Sequence, residues 1–206
     1  MSENNNAILL IEPHYLPSIS WMQLAARYPV ICFDLAEHHV KGGYRNRCHI
    51  LSPNGKLNLS VPLLHGKHQR NTTGQVRISY EMDWRKNHWM TLMSSYRRSA
   101  YFEYFEDRFA PLYEKKFDRL IDLNLAMLEA VFPITHLRPE IRFSEQYIAP
   151  GTEGYDDFRN RIRPAIANPL HLNLEPYTQV FSDRFEFFSD LSIIDMIFNK
   201  GKIQLP

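Results

Sequence analysis

Hydrophobic positions fall in short continuous runs near the start of the chain and at three- and four-residue steps through its middle. Ala7-Ile8-Leu9-Leu10-Ile11 is a branched-rich run ended by Pro13 and Pro17, the pattern of a buried strand that enters a loop. Ser18 or Ser20 caps a short helix carrying Trp21, Leu24 and Ala25. That helix ends before Pro29, because the residue preceding a proline is pushed out of the α region. Val30-Ile31-Cys32-Phe33 reads as a second buried strand. Strand, helix and strand in so short a space predict a βαβ unit with parallel strands and a right-handed crossover, so the loops beyond both strands share one edge.

Cys48 to Leu51 and Leu57 to Val61 flank Ser52-Pro53-Asn54-Gly55, whose Asn-Gly pair predicts a β-hairpin that Pro62 closes. Gly66 to Gly74 is a polar, basic loop and a candidate mobile element, followed by a strand over Gln75 to Ser79. From Asp83, placed as a cap, the period lengthens: Trp84, His88, Leu92, Ser95 and Tyr96 share a helix face. A second helical segment from Ser99 is aromatic at Phe102, Phe105 and Phe109, and Pro111 restarts the chain toward a third helix, Phe117 to Val131. Leu120, Leu123, Asn124, Met127 and Leu128 form the inward stripe of that helix. Pro150 to Pro169 reads as irregular, and Ser192 to Asn199 as a short amphipathic helix with Gly201 at its C-terminal cap. The fold class is α/β: a βαβ unit plus β-hairpin in a mixed sheet, with a mainly helical second half packed on it. One domain over 1–206 is expected, with an α/β part near 7–80, a helical part near 83–132 and a mixed part near 133–206.

Composition narrows the function classes. With 24 basic and 23 acidic residues the net charge is +1, so no global field favours nucleic acid or an anionic membrane. The longest apolar runs are too short to span a bilayer, and Met1 to Asn6 has no basic leader region, which predicts a cytoplasmic protein. Cys32 and Cys48 make no disulfide framework and are expected as reduced thiols. Asn71-Thr72-Thr73 matches a glycosylation acceptor, which has no meaning without secretion. Zinc is not expected, because His65-Gly66-Lys67-His68 has no acidic or cysteine partner at ligand spacing. No nucleophile elbow, Walker loop or dinucleotide turn is present, and no cofactor is predicted.

The densest polar patch, Glu37 to Arg47, follows the second strand and Asp34, where an open α/β sheet binds ligands. Lys41, Arg45 and Arg47 suit a phosphate, with Gly42-Gly43 admitting close backbone approach, Asn46 orienting the ligand, and Tyr44 beside them. In the loop after the first strand, His14 is a candidate proton donor or phosphate ligand, with Tyr15 next to it; the alternative, favoured by residue type alone, is a satisfied structural histidine. His14, His38 and Asp34 are the candidate catalytic residues. Trp84, Lys86 and His88 open the long helix, where a helix N-terminus with a cation and imidazole offers an anion site. The alternative for Trp84 and His88 is packing against the sheet.

Pro13-His14-Tyr15-Leu16-Pro17, Tyr44-Arg45-Asn46-Arg47-Cys48-His49-Ile50 and Leu59-Ser60-Val61-Pro62 together resemble the opening half of the WbqC-like protein family. Asp83-Trp84, His88-Trp89, Ser95-Tyr96, Ser99 to Phe105, Tyr177 to Phe181 and Leu191 to Asn199 carry the resemblance to nearly the whole chain. The chain departs from the family pattern at Glu12, where glutamine is frequent, at Ala100, where proline is frequent, and in having no glycine after the first loop. The resemblance implies a bacterial protein of O-antigen or other surface-polysaccharide synthesis, possessing a nucleotide or nucleotide sugar as ligand. It implies a transferase that moves an acyl or aminoacyl group to a nucleotide-activated amino sugar. Two alternatives stand beside it: a non-catalytic binding or scaffold protein of the same pathway, and a carboxylate-adenylating enzyme of the HIGH type, whose second histidine and glycine are missing here.

Overall fold

The computed structural model describes residues 7–64, 71–166, 170, 172 and 174–205. The N-terminal run forms β1 (Ile8–Leu10), followed by α1 (Ile19–Ala25) and β2 (Val30–Asp34). β1 and β2 pair in parallel, Leu9 opposite Ile31 and Leu10 opposite Cys32, as the hydrophobic runs predict. Ser18, not Ser20, caps α1, accepting the Trp21 N–H. The hairpin is β3 (Arg47–Ser52) and β4 (Gly55–Ser60), turned at Asn54-Gly55 where Gly55 takes φ +97°. It stands as a two-stranded sheet of its own.

Three helices follow: α2 (Trp84–Tyr96), α3 (Phe102–Glu114) and α4 (Leu120–Val131). The buried positions of α2 are Trp84, His88, Leu92, Ser95 and Tyr96, the predicted face. Asp83 precedes it without a side-chain capping bond, a correction to its predicted role. Pro111 does not restart the chain but lies inside α3. The proline forfeits one amide bond, yet the buried row Phe102, Phe105, Phe109 and Tyr113 runs straight past it and holds the helix to the core. The third helix begins at Leu120, not Phe117, because the Phe117 N–H bonds the Tyr80 hydroxyl and Arg119 is extended. Gln75 to Ser79 is likewise no strand. A turn occupies Thr73–Gln75, and the chain beyond it makes only isolated bridges, Leu63 with Ile78 and Arg77 with Arg119. The part of the basic loop over residues 66–70 lies outside the described residues.

Two further strands, β5 (Glu140–Ser144) and β6 (Tyr155–Asp157), join the N-terminal pair to give one parallel sheet in the order β5-β2-β1-β6. β6 corrects the expectation of irregular chain through Pro150 to Pro169. Alternation splits the sheet's side chains between two faces. Leu9, Ile31 and Phe33 enter the main core with α1 and the helical half, while Leu10 and Cys32 meet Ile148 on the opposite, thinner face. Cys32 and Cys48 are both free and buried. The chain closes with α5 (Ile193–Lys200), capped by Ser192 and by Gly201 at φ +83°, as expected. No helix among the described residues is long and apolar enough to cross a membrane.

Candidate functional site

Because the four strands are parallel, their carboxyl ends lie at one edge, and the loops leaving β1, β2 and β6 converge there. Each loop contributes charged groups that the fold buries. Glu12 follows β1, Asp34 ends β2 with Glu37 just beyond, and Asp157, Arg159 and Asn160 follow from β6. The turn Tyr44–Asn46 adds Arg45, whose side chain is 2% exposed.

Arg45 is the hub. One terminal nitrogen donates to both oxygens of Glu37 at 3.0 and 2.8 Å. The other donates to the Asn160 side-chain oxygen at 2.8 Å and lies 3.6 Å from Glu12. Asn160 sits in the left-handed region at φ +61°, which asparagine tolerates better than most residues. In that conformation its backbone N–H reaches Glu12 Oε2 at 2.9 Å and its amide nitrogen reaches Glu37 at 3.0 Å. Asn124, on the inward stripe of α4, donates to the carbonyls of Pro13 and Arg45 and so ties the helical half to two of these loops.

The remaining oxygen of Glu12 faces His14 Nε2 at 3.4 Å, and both side chains are essentially unexposed. Burial raises the Glu12 carboxyl, but the His14 contact, the Arg45 charge and the Asn160 N–H outweigh it and lower the group to about 2. The His14 pKa is lowered as well, but by burial itself, which the neighbouring Glu12 carboxylate only partly offsets. The imidazole is therefore neutral at pH 7. A carboxylate only accepts hydrogen bonds, so the proton sits on Nε2 and Nδ1 carries the lone pair. Nδ1 is buried without a partner. A neutral imidazole with an open lone pair has the form that general-base chemistry requires.

Asp34 is placed differently. One oxygen accepts the N–H groups of Ala36 and Glu37, and the other accepts the Ile148 N–H and an Arg159 guanidinium bond at 2.8 Å. Its four acceptor positions are filled, which shapes the loop after β2. Arg159 also pairs with Asp157 at 2.6 Å. Around the edge, four carboxylates (Glu12, Asp34, Glu37, Asp157) face two guanidinium groups (Arg45, Arg159), so the inner cluster carries excess negative charge.

The other sequence-predicted residues divide into an outer rim and an inner support. His38 and Lys41 are exposed on the loop beyond β2, and Arg47 is half-buried with its Nε unpartnered. That loop is pinned by residues 71–74 through His39 N–H to Asn71 O, Thr73 N–H to Glu37 O and Gly74 N–H to Leu35 O. Asn46 donates to Val61 O and joins the loop to the end of the hairpin. Tyr44 packs at a tilt beside His14, 5.4 Å between ring centres, and its hydroxyl meets His49 at 3.1 Å. Tyr15 is fully buried, its hydroxyl bonded to His88 at 3.0 Å and to Tyr113 at 2.8 Å. Trp84 packs edge-on against His88, and Lys86 points to solvent. Burial lowers His88 to about 4. No group of three or more histidine, cysteine or acidic residues among the described residues could hold a metal ion.

Glu37, Asn124, Arg159 and Asn160 complete the cluster without having been candidates. Asn160 carries no local signal, since its role depends on strand β6 bringing it against a loop 148 residues earlier.

A model of the WbqC-like protein family matches residues 12–162. The chain belongs to the WbqC-like protein family. The WbqC-like region starts at Glu12 and ends two residues past Asn160, so it brackets the cluster and leaves α5 outside. The stretches Tyr177 to Phe181 and Leu191 to Asn199, which also resemble the family in sequence, lie beyond that match. No curated protein and no solved structure matches this WbqC-like chain.

Proposed function

We propose that this chain is a transferase of bacterial surface-polysaccharide synthesis that moves an acyl or aminoacyl group to the amine of a nucleotide-activated amino sugar. The observation that carries the reading is the Glu12–His14 pair at the carboxyl end of β1, with Nδ1 of His14 unpartnered. The excess carboxylate of the inner cluster draws an amine toward it, and the amine nitrogen attacks the acyl carbonyl. As the C–N bond forms, the nitrogen's proton passes to Nδ1 of His14 and the donor's leaving group departs with its electron pair. Lys41, Gly42-Gly43 and Arg47 on the rim suit the phosphates, while Arg45, already neutralised by Glu37, holds the loops in place instead. His14 is 0% exposed and packed between Trp21 and Tyr44, so admission of the amine requires the chain around it to open.

A UDP-linked amino sugar near millimolar concentration should raise the melting temperature, and Lys41→Ala with Arg47→Ala should abolish the rise. No shift with any nucleotide or nucleotide sugar would overturn the reading. The enclosure of His14 and the mutual pairing of Arg45 favour a second reading, a non-catalytic binding or scaffold protein of the same pathway. It gains if His14→Ala leaves the cellular glycan unchanged while deletion of the gene alters it.

A further inference from the structure

The face of α1 turned away from the Glu12 cluster is also shaped for a ligand. Ile19 and Gln23 share that face, and Arg27 follows just past the end of the helix. Trp21, on the opposite side of the helix, donates to the Glu12 carbonyl at 3.1 Å. Ile19, Gln23 and Arg27 form one wall of a cleft of about 560 Å3, closed by Met196 and Lys200 of α5, by Tyr177 and Phe187, and by the tail at 203–205. That volume falls within the range of small-molecule sites.

The lining selects the chemistry of the occupant. Its body is apolar, built on Ile19, Met196 and Ile203 and on Phe187 set edge-on to Tyr177 at 5.3 Å. Two of the polar groups of the lining, Tyr177 and Gln23, are already engaged. Tyr177 donates its hydroxyl to Asp195 at 2.5 Å, and Gln23 has an interaction of its own. Asp195 also accepts from Tyr96 at 2.7 Å and from Gln179 at 3.1 Å, so this wall is fixed before any ligand arrives. Charge gathers where the cleft meets solvent. Arg27 and Lys200 are exposed, and neither has an ion-pair partner among the described residues. Glu175, the one carboxylate of the lining, is itself engaged.

We propose that this cleft is a second binding site, for an amphipathic organic anion with an unbranched apolar chain and a carboxylate or phosphate head. The chain lies along Ile19, Met196 and Phe187, and the head meets Arg27 and Lys200. The site shares no lining residue with the sheet-edge cluster and stands independently of the function proposed there.

The test is isothermal titration of the full chain with decanoate, decyl phosphate and decanol as probes. Saturable binding of at least one anion, with decanol about tenfold weaker or more, is expected, and which anion binds tells carboxylate from phosphate. Arg27→Gln with Lys200→Gln should weaken the anion about tenfold or more without moving the melting temperature, since both side chains are exposed. Met196→Trp, which fills the cleft, should remove binding. The absence of saturable binding by either anion overturns the proposal, as does equal binding of decanol with no effect of the charge substitutions.

Discussion

Arg45 illustrates what burial does to a charge. A guanidinium taken out of water is tolerated only when carboxylates and hydrogen bonds replace its hydration, and Glu37 supplies two of those bonds. Glu37→Ala leaves Glu12, at 3.6 Å, as the nearest carboxylate. The expected loss is about 3–5 kcal/mol of stability, read by chemical denaturation. The histidines make a second prediction. His39, His49 and His88 are lowered to about 4, and His14 is lowered too, in each case chiefly by burial. Between about pH 6.5 and 4 the unfolded chain therefore binds more protons than the folded one, and stability falls as pH falls through that window. Glu12 extends the loss below its ordinary value of 4.5 toward 2. Urea midpoints at pH 7 and pH 5 check this, and His88→Gln should reduce the difference. These residues also mark the limit of what sequence reveals about the site. His14 and Arg45 were legible as polar residues beyond buried strands. That Arg45 would be spent on Glu37 was not, because pairing depends on distances across three loops.

At the scale of elements, local chemistry predicts well wherever neighbours in sequence make the structure. Ser18 caps α1, the Asn-Gly turn closes the hairpin, and the buried face of α2 follows its period. Gly201 is a sharp case. It ends α5 at φ +83°, and a Cβ there would lie 2.8 Å from a ring carbon of Tyr101. Gly201→Ala should cost about 2 kcal/mol or more, combining left-handed strain with the clash, and thermal unfolding would measure it. β5 and β6 escaped the sequence reading for a physical reason. Both are edge strands with exposed charged or polar positions, Glu140 and Arg142 in one and Asp156 in the other, so neither shows a continuous apolar run. What makes them strands is their pairing with β2 and β1, more than a hundred residues earlier.

For the molecule as a whole, the halves share one hydrophobic core, and specific long-range ties fix how they meet. Asn124 reaches the loops of the sheet edge, Ser192 bonds the Leu16 carbonyl, and Phe198 of α5 meets the rings of Tyr96, Phe102 and Phe109. The sheet order adds a consequence in time. β1 lies second from the edge, between β2 and β6, so once made it waits for a neighbour that begins at Tyr155. At synthesis rates of about 5–20 residues per second that is a delay of roughly 7–30 s, during which one hydrogen-bonding edge of β1 is unpaired. A chain stopped after residue 150 should therefore be rapidly degraded in limited proteolysis where the full chain resists. In the cell, nascent β1 is therefore a segment for a chaperone to shield.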